Sequence, residues 1–194
     1  MASPRLHRVV GEFAGQVTVE HKCFALAPTR DSIAQKFGDA RRAKEEILQH
    51  WESARAYAKG EIDIRVERMR QQPFDYPYST PGLLACKAAE MQQGQEGHWR
   101  YFDALQKAHM VDCLNIAEAE TLMQVAGALA LDLPQFARDI QSMEVKERVW
   151  QDLELAWHWG VTLVPTVIID EQWGVPGLVD EATYRRAITE VLAG

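Results

Sequence analysis

Cysteine, histidine and one proline at the head of an apolar run are the residue types in this chain to which chemistry could be assigned. Sulfur chemistry needs a thiolate, usually paired with a second thiol. Cys23, Cys86 and Cys113 stand far apart, odd in number, with no CxxC and no zinc spacing. Cys23 falls in an expected strand and Cys86 in the apolar face of "GLLACKAA", where a small buried hydrophobe is the plain reading. Cys113, in the turn "VDCLN", is the thiol expected to be exposed, free to oxidise or form a mixed disulfide. His7, His21, His50, His98, His109 and His158 make no i, i+4 pair and no HExxH, so no metal site is expected. No catalytic residue can be assigned from these patterns.

The proline is Pro165, in "GVTLVPTVIID". Gly160 can supply a left-handed helix stop, and Val167, Ile168 and Ile169 have the β-branched composition of a buried strand. Pro165 stands at the strand's threshold, where its missing N–H breaks no ladder. Taken alone, it is either an ordinary strand-start residue or a cis-proline shaping a binding edge.

The elements that would position it follow from periodicity. Leu6, Val9, Val10 and Phe13 have helical spacing with Gly15 as a stop, and "QVTVEHKCFAL" alternates, which predicts a helix tail and then a strand over 16–26. Residues 31–59 predict one long helix, or two with a break near Gly38; "GEIDIRVERM" reads as a brief extended stretch. Further helices are expected at 81–93, 97–109, 116–130 and 134–159. Thr80-Pro81, the Asn115/Glu118 pair and Asp132 are their start signals. After Pro165 come a strand to Ile169, a turn at Asp170-Glu171, a second strand from Trp173 to Val175, and a closing helix capped by Asp180. The stripes of Leu122, Val125, Ala126 and Leu129, and of Phe136, Ile140 and Met143, read as core.

Bulk properties narrow the partners. The chain has 194 residues, 25% of them charged, with 21 Lys plus Arg against 28 Asp plus Glu and a net charge of -7. No basic run stands out, so no nucleic acid is expected. No segment is apolar and long enough for a signal sequence or a membrane span, so a cytoplasmic location and no membrane partner are expected.

The order of helix tail, strand, helical block, proline, hairpin and helix resembles the DsbA family of thioredoxin-fold proteins, most of all its cytosolic, FrnE-like branch. The resemblance is carried by "VTVEHKCFALAP", "YSTPGLLACKAAEMQQG", "YFDALQKAHMVDCLNIAEAETLMQVAGALALD" and "GVTLVPTVIIDEQWGVPG", which run over nearly the whole chain. It implies an α/β, thioredoxin-like fold with a large all-helical insertion: residues 1–60 and 160–194 form the thioredoxin-like part and 61–159 the insertion. It further implies that Pro165 is cis and that Val164 offers its backbone N–H and C=O to an extended substrate. The Trp157 and Trp159 pair could frame that cleft, although such aromatics more often close a core.

The chain departs from the family where the chemistry should be. A CxxC, or the Ser-Pro of isomerase and transferase relatives, belongs at the amino end of the first helix, where the dipole and free amides lower a thiol pKa. Ser3-Pro4 lies too close to Val17, by about two helical turns, to serve, and reads as a chance dipeptide. The first strand and the motif are expected upstream of Met1, and a start placed too late is the economical account.

Three functions follow from the resemblance. One is a thiol-disulfide oxidoreductase acting on protein or low-molecular-weight disulfides. The second is a glutathione-dependent isomerase or transferase of the chromene-carboxylate or kappa type, with glutathione as co-substrate and no other cofactor. The third is a non-catalytic module that binds extended peptide. A homodimer is compatible with each.

Overall fold

The structure, a computed structural model, describes residues 2–58 and 62–194. The expected helix end at Lys59, the start of the extended stretch at Gly60 and the domain boundary between 60 and 61 lie outside the described residues. Two compact units are present: Met1–Glu20 with Glu154–Gly194, and His21–Leu153. This division groups residues 21–58 with the helices that follow them.

The first unit begins with α1 (Ala2–Glu12), ends with α9 (Glu181–Ala193), and holds an antiparallel hairpin of β1 (Thr166–Ile169) and β2 (Trp173–Pro176). Thr166 pairs with Pro176 and Ile169 with Trp173. Asp170 and Glu171 both take positive φ, 52° and 55°, the twist that tight hairpins favour. Val9, Tyr184 and Ile188 are buried and pack with Leu6, Phe13, Val167, Ile169 and Val175, so the two helices cover one face of the hairpin. Arg185 to Glu12 and Arg8 to Glu181, each at 2.6 Å, tie the helices together. Asp180 caps α9 by accepting from the Thr183 N–H at 2.9 Å, as the sequence predicts.

The second unit is helical: α2 (Arg30–Phe37), α3 (Ala40–Ala58), α4 (Val66–Arg70), α5 (Thr80–Met110), α6 (Ala119–Ala128), α7 (Leu133–Gln141) and most of α8 (Met143–His158). Gly38, at φ 89°, ends α2 where a break was expected. The two helices predicted at 81–93 and 97–109 are the halves of α5, parted by non-helical Gln93 and by Gly94 at φ 65°, ψ −157°. Gly97 lies against the preceding half so closely that a Cβ there would sit 2.6 Å from Gln93 Cβ and 2.7 Å from the Ala89 carbonyl oxygen. Ala85, Ala88, Ala89, Tyr101, Leu122 and Phe136 form its core with α6 and α7, and the Tyr101 hydroxyl donates to the Leu122 carbonyl at 2.9 Å.

Four expectations are corrected. The extended stretch expected over "GEIDIRVERM" turns helical at Val66, where α4 begins. The helix predicted over 134–159 is two helices, because Ser142 turns extended (φ −67°, ψ 153°) and its Oγ caps α8 by accepting from the Val145 N–H at 3.1 Å. The Asn115/Glu118 pair forms a side-chain turn ahead of α6 rather than its first residue pair: Asn115 Oδ1 accepts from the Ala117 N–H, and Nδ2 donates to Glu118. Residues 17–25 form no strand, because a strand exists only as part of a ladder and no described segment pairs with them. Two alternate amides are bonded by side chains instead: His21 N–H donates to Gln95 Oε1 at 2.7 Å and Cys23 N–H to Asp152 Oδ2 at 2.8 Å.

Candidate functional site

The Pro165 loop forms as the local sequence dictates. Gly160, at φ 64°, ends α8, and the Gly160 and Val161 amides donate to the carbonyls of Trp157 (3.0 Å) and Ala156 (2.9 Å). Leu163, Val164 and Pro165 follow, and the Val164–Pro165 peptide bond is cis. The loop is held from both sides. Thr166 Oγ1 donates to the Leu163 carbonyl at 2.8 Å, and the Pro165 carbonyl accepts from the Gly177 N–H at 2.7 Å. Val164 lies between these ties, 42% exposed, and among the described residues nothing bonds its N–H or its carbonyl. It is a rigidly anchored peptide unit with one free donor and one free acceptor, the requirement for capturing an extended chain. Trp157 (84% exposed) and Trp159 (37%) precede the loop and do not close a core.

None of the three thiols is placed to act as a nucleophile. Burial raises Cys23 well above the ordinary thiol value and Cys86 to about 12. The expectation of an exposed Cys113 is overturned: it is 1% exposed, and burial raises its pKa. Its backbone takes φ 60°, and its Sγ donates inward to the Arg65 carbonyl at 3.5 Å. The "VDCLN" turn is a tight reversal whose middle side chain points into the protein. Among the described residues no group of three or more His, Cys, Asp or Glu could hold a metal ion.

The second unit holds a buried polar cluster that sequence reasoning missed. Lys87, only 3% exposed, reaches Glu90 Oε2 at 2.7 Å and Asp152 Oδ2 at 2.8 Å, and Glu90 Oε2 also meets His98 Nδ1 at 2.7 Å. Burial opposes the Lys87 charge, yet the Asp152 and Glu90 bonds outweigh it and its pKa is raised. Burial likewise opposes the Glu90 charge, but His98 and Lys87 bring its pKa down to about 2. The signal was a lysine and a glutamate three residues apart inside the apolar run "GLLACKAAE". Asp152, from a distant helix, carried no signal at all.

A family model described as "Thioredoxin" matches residues 22–177. The chain belongs to that family. Among curated proteins it is 27% identical over 193 residues to the ClpXP adapter protein SpxH of Bacillus subtilis, covering 88% of this chain and 64% of that protein. SpxH of Bacillus licheniformis is 27% identical over 163 residues, covering 75% of this chain and 53% of that protein, so the chain spans under two thirds of either relative. Its fold matches the cytosolic disulfide reductase DsbM of Pseudomonas aeruginosa at a TM-score of 0.74 and 18% identity, over 99% of this chain and 91% of that one. A probable DsbA oxidoreductase of Streptomyces coelicolor matches at 0.76 and 21%, over 99% and 83%. The fold is therefore thioredoxin-like, of the DsbA type, with a large helical insertion.

Proposed function

We propose that this chain binds the extended backbone of a thiol or disulfide substrate at Val164 and Pro165, as part of a DsbA-like thiol-disulfide oxidoreductase. The observation that carries the reading is the free N–H and carbonyl of Val164 on a loop tied at Leu163 and Pro165. Backbone pairing of this kind needs no particular side chain on the substrate, which suits an enzyme that meets many disulfides. The attacking thiolate is none of Cys23, Cys86 and Cys113, whose burial keeps them protonated. It is supplied from outside these three residues, as by the substrate's own thiol.

Glutathione is the small-thiol candidate, because the Pseudomonas reductase has also been solved with it. The SpxH relatives, described as ClpXP adapters, favour testing a protein partner too. A cytoplasmic site of action agrees with the cytosolic Pseudomonas reductase. Two experiments test the reading. In a nitrogen-15 spectrum, an extended peptide or oxidised glutathione should move the Val164 amide more than the amides of α9; unchanged Val164 on both additions overturns it. In an insulin assay with dithiothreitol the chain alone should add no turnover. Turnover lost on Cys23→Ser would place the nucleophile at Cys23 and overturn the assignment above.

A further inference from the structure

The buried ion cluster around Asp152 also brings two of the three thiols to one place. We propose that Cys23 and Cys86 are a redox pair, closing to a disulfide when the segment that carries Cys23 opens, with a small disulfide of the glutathione class as oxidant. The inference is independent of the peptide-edge reading above.

Three observations place the two sulfurs together. Cys23 Sγ lies 3.9 Å from the Leu83 carbonyl oxygen. Cys86 stands about one turn further along α5, and a helical side chain leans back over the residues three and four positions before it, which for Cys86 are Leu83 and Gly82. The two backbones also share an anchor. Asp152 Oδ2 accepts the Cys23 N–H at 2.8 Å and, again at 2.8 Å, holds the ammonium of Lys87, the residue next to Cys86. Burial comes first among the causes that raise the Cys23 pKa and Cys86 second, an influence that a near neighbour exerts. Cys113 takes no part in this group, since its Sγ faces the Arg65 carbonyl.

In the closed state both thiols are buried and protonated, so neither attacks. The way in is the segment itself. Residues 21–25 join no ladder among the described residues, and their His21 and Cys23 amides are held by the side chains of Gln95 and Asp152. Fewer bonds therefore break on opening than for a strand inside a sheet. His21 Nε2, buried with no hydrogen-bond partner, regains water when the segment lifts, which lowers the cost further. Once open, Cys23 loses its proton and its thiolate attacks one sulfur of oxidised glutathione, releasing the other half as a thiolate. The Cys86 thiolate then attacks the Cys23 sulfur, forming the Cys23–Cys86 bond and releasing the second half. Two protein thiols give up two protons and two electrons, and one oxidised glutathione becomes two reduced ones.

The test oxidises the whole chain. Reduced protein is held with oxidised glutathione at pH 8 in sub-denaturing urea, which speeds opening, then alkylated, digested without reduction and mapped by mass spectrometry. The expected product is a Cys23–Cys86 cross-link with Cys113 alkylated and no glutathione retained. Cys86→Ala should stop at a glutathione adduct on Cys23; should that variant fail to fold, the melting of the parent chain decides. With urea removed, the linked parent should melt several degrees above the reduced one, because the bridge closes the chain between positions 23 and 86 without moving its ends, and dithiothreitol should abolish the gain. A cross-link that includes Cys113, glutathione adducts on Cys23 and Cys86 in place of a link, both thiols unreacted after prolonged incubation, or a linked chain that melts no higher than the reduced one each overturns the pair. None of these outcomes bears on the edge at Val164.

Discussion

Lys87 shows how one buried charge can organise its surroundings. Its ammonium stands between Glu90 and Asp152, and Asp152 in turn receives the Cys23 amide. Lys87→Met would leave two carboxylates facing each other without a cation. It should cost about 3–5 kcal/mol in urea denaturation, the usual penalty for breaking a buried pair from one side. His109 sets a pH dependence: its Nδ1–H donates to the Leu114 carbonyl at 3.1 Å, the Tyr76 hydroxyl donates to Nε2 at 3.2 Å, and burial lowers its pKa to about 4. An unfolded histidine titrates near ~6.5, so between ~6.5 and 4 the unfolded chain takes up a proton that the folded chain refuses. His21, lowered to about 4 chiefly by burial, acts in the same direction. Glu90 does so lower down, as pH falls from 4.5 towards its folded value of about 2. Calorimetric midpoints should therefore fall from pH 7 to pH 4 and fall further below. His109→Gln should flatten the first part of that slope; an unchanged slope would mean His109 is not buried neutral.

At the scale of elements, α5 turns on its glycines. Gly94 takes a conformation other residues enter only with strain, and Gly97 admits no Cβ beside Gln93 and the Ala89 carbonyl. Gly97→Ala should push the two halves of the helix apart and cost about 1–3 kcal/mol, as overpacking does. Chemical denaturation would show it, and a stability within about 0.5 kcal/mol of the parent, the usual range for surface changes, would mean the close approach does not persist in solution. The extended run 17–25 teaches a different lesson. Its alternation was legible, but alternation marks a strand only where a neighbour supplies the ladder, and here Gln95 and Asp152 bond His21 and Cys23 instead.

At the scale of the molecule, all three thiols are buried. Native protein should leave a disulfide dye such as DTNB unreacted over minutes, and guanidinium should release three thiols per chain; rapid native reaction at Cys113 would restore the exposed turn expected from "VDCLN". What the sequence by itself determined is local in origin. The stop at Gly160, the cap at Asp180, the hairpin around Asp170-Glu171, the break at Gly38 and the two halves of α5 each follow from residues within one or two turns of one another. The order of those elements then carried the DsbA-type fold. What only the tertiary structure decided was set by residues far apart in the chain. Asp152 meets Cys23 and Lys87 across 129 and 65 positions, and the inward turn of Cys113 depends on the Arg65 carbonyl. Burial and charge pairing are sums over such distant neighbours, and no window of sequence contains them.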